Sequence, residues 1–168
     1  VIYSSTSSGG PFTAIADITG AVSCRVNAVG GQTMYYRARA YTLVNSTKKY
    51  SKSYSAVLQL TSVPATTSIT AVSPLTESSM KITWRQTADI VNKSGGFYLY
   101  RGTSSNTGTM TKIATFTRTD ILSYVDTGLA VGQVYFYSVR SYVSSDYGLV
   151  VGRYSSVVSG YTTRGAPA

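Results

Sequence analysis

The sequence contains no histidine, one cysteine and six carboxylates in 168 residues. Without histidine there is no imidazole base for a serine or cysteine triad, and most zinc ligand sets cannot be assembled. The carboxylates Asp17, Glu77, Asp89, Asp120, Asp126 and Asp146 are scattered, with no pair placed for acid–base work. The lone thiol, Cys24, forms no intrachain disulfide, and it reads as a small apolar side chain facing a core. No apolar run approaches the ~20 residues that cross a bilayer as a helix, so membrane insertion is not expected. No glycine-rich loop leads into a helix; Ser8-Gly9-Gly10-Pro11 and Ser94-Gly95-Gly96 read as hairpin turns. The expectation is a non-enzymatic chain with no catalytic, cofactor-binding or metal-ligating residue.

Charge is sparse and one-sided. Charged residues make up 12% of the chain, and 15 Lys and Arg against six acids leave it at +9. A basic balance favours polyanions. The positive residues are spread out, however, and the densest group is Lys48, Lys49 and Lys52 in one hairpin. That scatter, with no recognition element, counts against nucleic acid. At 43% hydrophobic residues the chain can still bury a core.

What is present is a repeat. Gly31-Gln32-Thr33-Met34-Tyr35-Tyr36-Arg37-Ala38-Arg39-Ala40-Tyr41 returns as Gly132-Gln133-Val134-Tyr135-Phe136-Tyr137-Ser138-Val139-Arg140-Ser141-Tyr142. Val1–Ser7 matches Tyr98–Ser104, Phe12–Ala16 matches Met110–Ala114, Ser23-Cys24 falls on Ser123-Tyr124, and Tyr54–Leu58 matches Tyr154–Val158. A period of nearly 100 residues built on alternating strands means tandem β-sandwich modules. The copies are unequal. Two further strand patterns, Thr66–Val72 and Ser79–Arg85, precede the Tyr98 match, and nothing comparable precedes Val1. Residues 1–61 therefore read as a partial module lacking its first two strands, 62–163 as a complete module and 164–168 as the start of a linker. The expected source of the missing strands is a longer parent chain, the alternative a partner subunit.

Within the complete module, Met80, Ile82 and Trp84 alternate with Lys81, Thr83 and Arg85, which marks a half-buried strand. Thr66–Val72 reads as a strand ended by Ser73-Pro74, and Asn92–Gly96 as a turn. Phe97–Arg101, Lys112–Thr117 and Tyr154–Thr162 read as strands, and Tyr142–Gly148 as a hairpin. Trp84, Phe97, Leu99, Leu129, Tyr137 and Val139 are the expected core. On the strand from Gln133, Phe136, Ser138, Arg140 and Tyr142 face away from that core. Asn45-Ser46-Thr47 and Asn92-Lys93-Ser94 fit the N-glycosylation pattern and also read as plain turns.

These residues resemble the fibronectin type III family. The resemblance rests on Trp84, on Phe97-Tyr98-Leu99-Tyr100-Arg101, and on Leu129 followed by Tyr135, Tyr137 and Val139. It covers 62–163 and the later two-thirds of a module in 1–61. It implies an all-β, immunoglobulin-like sandwich, with Tyr135 as the corner tyrosine bonded back to the preceding loop; Met34 stands at that position in the first copy. The pattern around Tyr135–Tyr142 looks like modules of secreted or wall-attached proteins of Gram-positive bacteria, which implies an extracellular setting.

The candidate interaction face is the outer side of the shared sheet: Tyr98, Tyr100, Phe136, Arg140 and Tyr142, repeated as Tyr35, Arg37, Arg39 and Tyr41. It reads as a flat apolar strip. The leading function is a structural or adhesive module array of a surface protein, fibre or virion, contacting neighbouring modules or subunits. The alternative is an accessory region of a larger secreted enzyme that binds carbohydrate or anionic wall polymer. Exposed charges are screened over ~8 Å at physiological salt, so retention on an anionic matrix should vanish near that ionic strength. Retention that survives ~0.5 M salt would instead require a built basic site.

Overall fold

The computed structural model describes residues 1–145 and 148–163. The chain divides into two compact units, Val1–Ser62 and Val63–Ala168. The first unit holds β1 (Ile2–Ser5), β2 (Thr13–Ala16), β3 (Thr33–Ala38), β4 (Tyr41–Val44), β5 (Thr47–Tyr50) and β6 (Leu58–Thr61). The second holds β7 (Ile69–Thr76), β8 (Ser79–Trp84), β9 (Gly95–Gly102), β10 (Thr111–Phe116), β11 (Ser123–Thr127), β12 (Val134–Ser145), β13 (Gly148–Val151) and β14 (Val158–Tyr161). Two single 3₁₀ turns, Ala88–Ile90 and Thr107–Thr109, are the helical content among the described residues.

The second unit is a fibronectin type III-like sandwich. One sheet runs β11-β8-β7; the other runs β10-β9-β12-β13, with β14 also paired to β12. All pairings are antiparallel. The alternation in β8 sends Met80, Ile82 and Trp84 between the sheets, where they meet Phe97, Leu99, Leu129, Tyr137, Val139 and Val143. Trp84 lies edge-on to Phe97 at 5.7 Å and tilted against Phe116 at 5.0 Å. The expected core residues are all buried.

Several boundaries differ from the sequence reading, and β7 begins at Ile69 rather than Thr66. β7 does not stop at Ser73-Pro74 but continues to Thr76. It is an edge strand, where a proline lacking its N–H is tolerated, and the register shifts between Pro74 and Thr76. Gly95 and Gly96 belong to β9, not to the turn before it. They are glycine because neighbouring backbone comes so close: a Cβ on Gly96 would sit 1.8 Å from the Phe116 carbonyl oxygen, and one on Gly95 2.2 Å from that of Tyr142. The last strand covers Val158–Tyr161 only, for a reason given below. Asp146 and Tyr147 of the expected hairpin, and the linker at 164–168, lie outside the described residues.

The first unit has one four-stranded sheet, β2-β1-β3-β6, and the hairpin β4-β5. Asn45 and Ser46, at φ 49° and 62°, form the two-residue turn of that hairpin. Among the described residues, the enclosed apolar side chains all belong to the second unit. Cys24 is exposed, which corrects its expected place in a core. Its counterpart Tyr124 lies on β11, held by β8, whereas residues 17–30 form no strand.

Truncating a large core aromatic removes its burial and leaves a cavity. Phe97→Ala should therefore destabilise the second unit by about 3–5 kcal/mol. Urea unfolding followed by the fluorescence of Trp84, the only tryptophan, checks this directly.

Candidate interaction face

Arg140 and Tyr142 on β12 lie opposite Tyr98 and Gly96 on β9, and Ser138 lies opposite Tyr100. This outer face closes on itself. Tyr98 and Tyr142 stack at 4.5 Å, and the Lys112 ammonium sits 4.6 Å above the Tyr98 ring. Tyr100 meets Tyr154 edge-on at 5.0 Å, and the Arg140 guanidinium lies 4.6 Å over Tyr154. Arg140 Nε also donates to the Gly152 carbonyl at 2.8 Å.

The first unit repeats the arrangement. Tyr3 meets Tyr54 edge-on at 5.3 Å. Arg39 lies 4.9 Å over Tyr54 and donates from Nε to the Ser51 carbonyl at 2.9 Å. Arg37, at the position of Ser138, is held between Phe12 at 4.2 Å and Tyr54 at 3.8 Å. Each face thus carries the same trio: a tyrosine from the repeat's opening strand, an arginine from its central strand, and a tyrosine from the segment that follows.

That segment is locked by the serine after the tyrosine. Ser155 N–H donates to the Val139 carbonyl at 2.9 Å, and the Val139 N–H donates back to the Ser155 hydroxyl at 3.1 Å. Ser55 does the same with Ala38, both bonds at 2.8 Å. The side chain takes over a ladder bond that a strand would make with its backbone. This is why regular pairing begins only at Val158 and Leu58.

The strip is accordingly not flat and open. Tyr142 is 6% exposed, with its hydroxyl donating to the Phe116 carbonyl at 3.0 Å. Tyr98, Tyr100 and Arg140 are half-buried among their ring partners. Tyr41 leaves the strip for the β4-β5 hairpin, 5.9 Å from Tyr50 and with its hydroxyl 2.9 Å from that of Thr19. Phe136 lies opposite Gly102 and Ser159, and Tyr35 opposite Ser5 and Gln59, so these two rings face small or polar neighbours in both copies. Beside Phe136, Val134 and Tyr161 are 40% and 60% exposed. The sequence reading did not single out Tyr54, Tyr154 or their serines. Their recurrence as Tyr-Ser was visible, but it reads as ordinary strand.

Among the described residues, Asp126 is the charged side chain buried between the sheets. Asp126, 4% exposed, accepts two bonds from Arg101 Nη1 at 2.9 and 3.0 Å and one from the Tyr137 hydroxyl at 2.8 Å. A buried carboxylate requires such partners. Arg101 also lies 5.3 Å over Tyr135, whose hydroxyl accepts from the Ala130 N–H at 3.1 Å, the expected corner bond. In the first unit Ser62 ties the equivalent loop: its hydroxyl donates to the Val29 carbonyl and accepts from the Gln32 N–H.

No protein-family model matches the sequence, and no curated protein matches it. Solved structures do. The sixth fibronectin type III domain of human fibronectin type III domain containing protein 3 is 19% identical, with a TM-score of 0.43, over 61% of this chain and 89% of that one. The fn3 domain of human contactin 1 is 13% identical, with a TM-score of 0.44, over 62% and 82%. The FN1-FN3 domains of chicken CNTN1 are 13% identical, with a TM-score of 0.45, over 97% of this chain and 53% of that one.

Burial, followed by the bond to Asp126, raises the Tyr137 phenol far above its ordinary value of 10.0, and burial raises those of Tyr100 and Tyr142. A phenol raised in the folded state stabilises fully below the unfolded value, and that stability is lost as pH climbs above about 10. Tyr137→Phe should flatten this alkaline loss. At neutral pH it should cost about 1–3 kcal/mol, because Asp126 loses a buried donor. Urea unfolding from neutral to alkaline pH measures both, and an unchanged slope would assign the alkaline loss to other tyrosines.

Proposed function

We propose that this chain is a structural array of repeated β-sandwich modules in an extracellular surface protein, fibre or virion. It sets spacing and offers sheet faces to neighbouring modules or subunits of the same protein. The observation that carries this reading is the recurrence of one closure, Tyr100–Tyr154–Arg140 and Tyr3–Tyr54–Arg39, in both units. The same scaffold part is built twice, with its aromatic and cationic groups engaged in holding each face together. A part of this kind transmits shape; it does not wait with open groups for a small ligand.

The contact surface is the end of the outer face beyond the tyrosine–arginine contacts, where exposed Val134 and Tyr161 flank half-buried Phe136. Apolar groups adjacent on a sheet and open to water favour burial against another surface. Phe136→Ser combined with Tyr161→Ser should leave Trp84 fluorescence and β-sheet circular dichroism unchanged, since neither side chain enters the core. Association of the chain with itself, followed by sedimentation over rising concentration, should weaken. If the variant associates as the parent does, these residues are ordinary surface and the assembly role loses its contact.

A further inference from the structure

Arg37 stands outside the trio that closes each face. In the second unit Tyr100, Tyr154 and Arg140 close the face without it. The equivalent place there belongs to Ser138, fully buried, whose hydroxyl donates to the Ser155 carbonyl at 3.0 Å. The first unit puts a guanidinium where that small hydroxyl suffices. Closure of its own face already comes from Tyr3, Tyr54 and Arg39. Arg37 is therefore an addition that holding the sheet together does not explain.

The added cation is held in place. Arg37 lies 4.2 Å over Phe12 and 3.8 Å over Tyr54, while Arg39 lies 4.9 Å over Tyr54 and 5.2 Å over Tyr50. Rings and cations thus alternate in the order Phe12, Arg37, Tyr54, Arg39, Tyr50. Stacking occupies the flat sides of a guanidinium and leaves its N–H edge to meet an acceptor. Arg37 Nε is enclosed and meets no acceptor, so what it offers a ligand is its pair of Nη groups. Arg39 Nε is taken by the Ser51 carbonyl, which leaves the same pair. Among the described residues neither arginine has a carboxylate partner; the ion pairs are Lys48–Asp17, Arg101–Asp126 and Arg118–Asp120. Two like charges share one tyrosine with no anion between them.

The spacing selects the ligand. Arg37 and Arg39 are alternate residues that reach the same ring, so they share a face. Alternate residues of an extended chain recur every 6–7 Å or about that. Acidic side chains two residues apart in an extended segment have the same period. A carboxylate also matches the guanidinium fork, which can donate two parallel bonds to it. A second copy of this chain supplies no such segment, because its carboxylates at 17, 77, 89, 120, 126 and 146 are never two residues apart.

We propose that Arg37 and Arg39 form a receptor for an extended acidic segment of a partner protein, each guanidinium taking one of two carboxylates two residues apart. This goes beyond the assembly role, which is read at Phe136 and Tyr161 and can fail separately. The test follows the fluorescence anisotropy of a rhodamine-labelled peptide, Gly-Ser-Glu-Ser-Glu-Ser-Gly, with the full chain at about 20 mM salt, where exposed charges are little screened. Arg37→Ser, which copies the second unit, should weaken binding by about tenfold or more with β-sheet circular dichroism unchanged. Arg37→Lys keeps the charge and loses the planar fork, and it should weaken binding by at least about fivefold. Lys49→Ser removes an equal charge from an exposed site and should leave affinity within about twofold. A peptide with its two glutamates adjacent, which sends them to opposite faces when extended, should bind at least about fivefold more weakly. If Arg37→Ser loses its sheet signal, Arg37→Lys decides. No binding by the parent chain overturns the proposal, and so does parent-like binding by Arg37→Lys or equal binding of the adjacent-glutamate peptide. A sulfated polysaccharide whose binding falls in Arg37→Lys while that of the peptide does not would overturn it too, by making the ligand a polysaccharide.

Discussion

A β-sheet with one apolar face is stable only when something covers that face, and this requirement organises the second unit. Met80, Ile82 and Trp84 descend from one sheet onto Phe97, Leu99, Tyr137 and Val139 of the other. Details that look unrelated follow from it. Gly160 is small because Val72 occupies its space. Gly95 and Gly96 let β12 and the end of β10 come close to β9. Asp126 is tolerated between the layers because Arg101 and Tyr137 satisfy it there. Each fully buried large side chain contributes roughly 1.5–3 kcal/mol, and the core cluster of the second unit holds ten buried residues.

The opposite face is governed by smaller energies. A cation over a ring contributes about 0.5–1 kcal/mol at exposed sites, and a cross-strand pair roughly 0.2–1 kcal/mol. The trio of Tyr100, Tyr154 and Arg140 therefore does not determine the fold. It determines the path of the segment from Gly152 to Ser156, which the Arg140 bond to Gly152 and the Ser155 bonds to Val139 pin against β12. The first unit uses the same bonds at Ser51, Ser55 and Ala38.

Period-two alternation made the core legible. Met80, Ile82 and Trp84 and the inward set of β12 follow from one strand pattern and its repeat, whereas the corner bond of Tyr135 was implied by the family resemblance and not by periodicity. The outer face was legible in direction but not in exposure. Tyr142 points away from the core and is still buried, because Tyr98 stacks on it and Phe116 offers it a carbonyl. Pointing outward is a property of a strand; being exposed depends on neighbours that the strand does not name. The Tyr-Ser pair was misread for a related reason. A serine that replaces a backbone ladder bond with its hydroxyl leaves a sequence that still looks like strand. Cys24 failed differently, since its burial depended on a pairing partner outside its own segment.

The two copies separate what a strand contributes by itself from what it receives. In both, the opening strand, the central strand and the segment after the hairpin pair in the same register, although only the second copy has a packed layer beneath them. Those elements are bound to one another by ladder bonds, by the serine lock and by the arginine–tyrosine contacts, all within their own sheet. The strand corresponding to β11 has no such support, because its bonds come from the covering sheet alone. Hence Ser123–Thr127 is strand and 23–27 is not, although the two segments occupy equivalent places in the repeat. The pairing of β9, β12 and β14 with one another, matched by β1, β3 and β6, thus depends on contacts within one sheet, whereas β11 depends on β8 of the other.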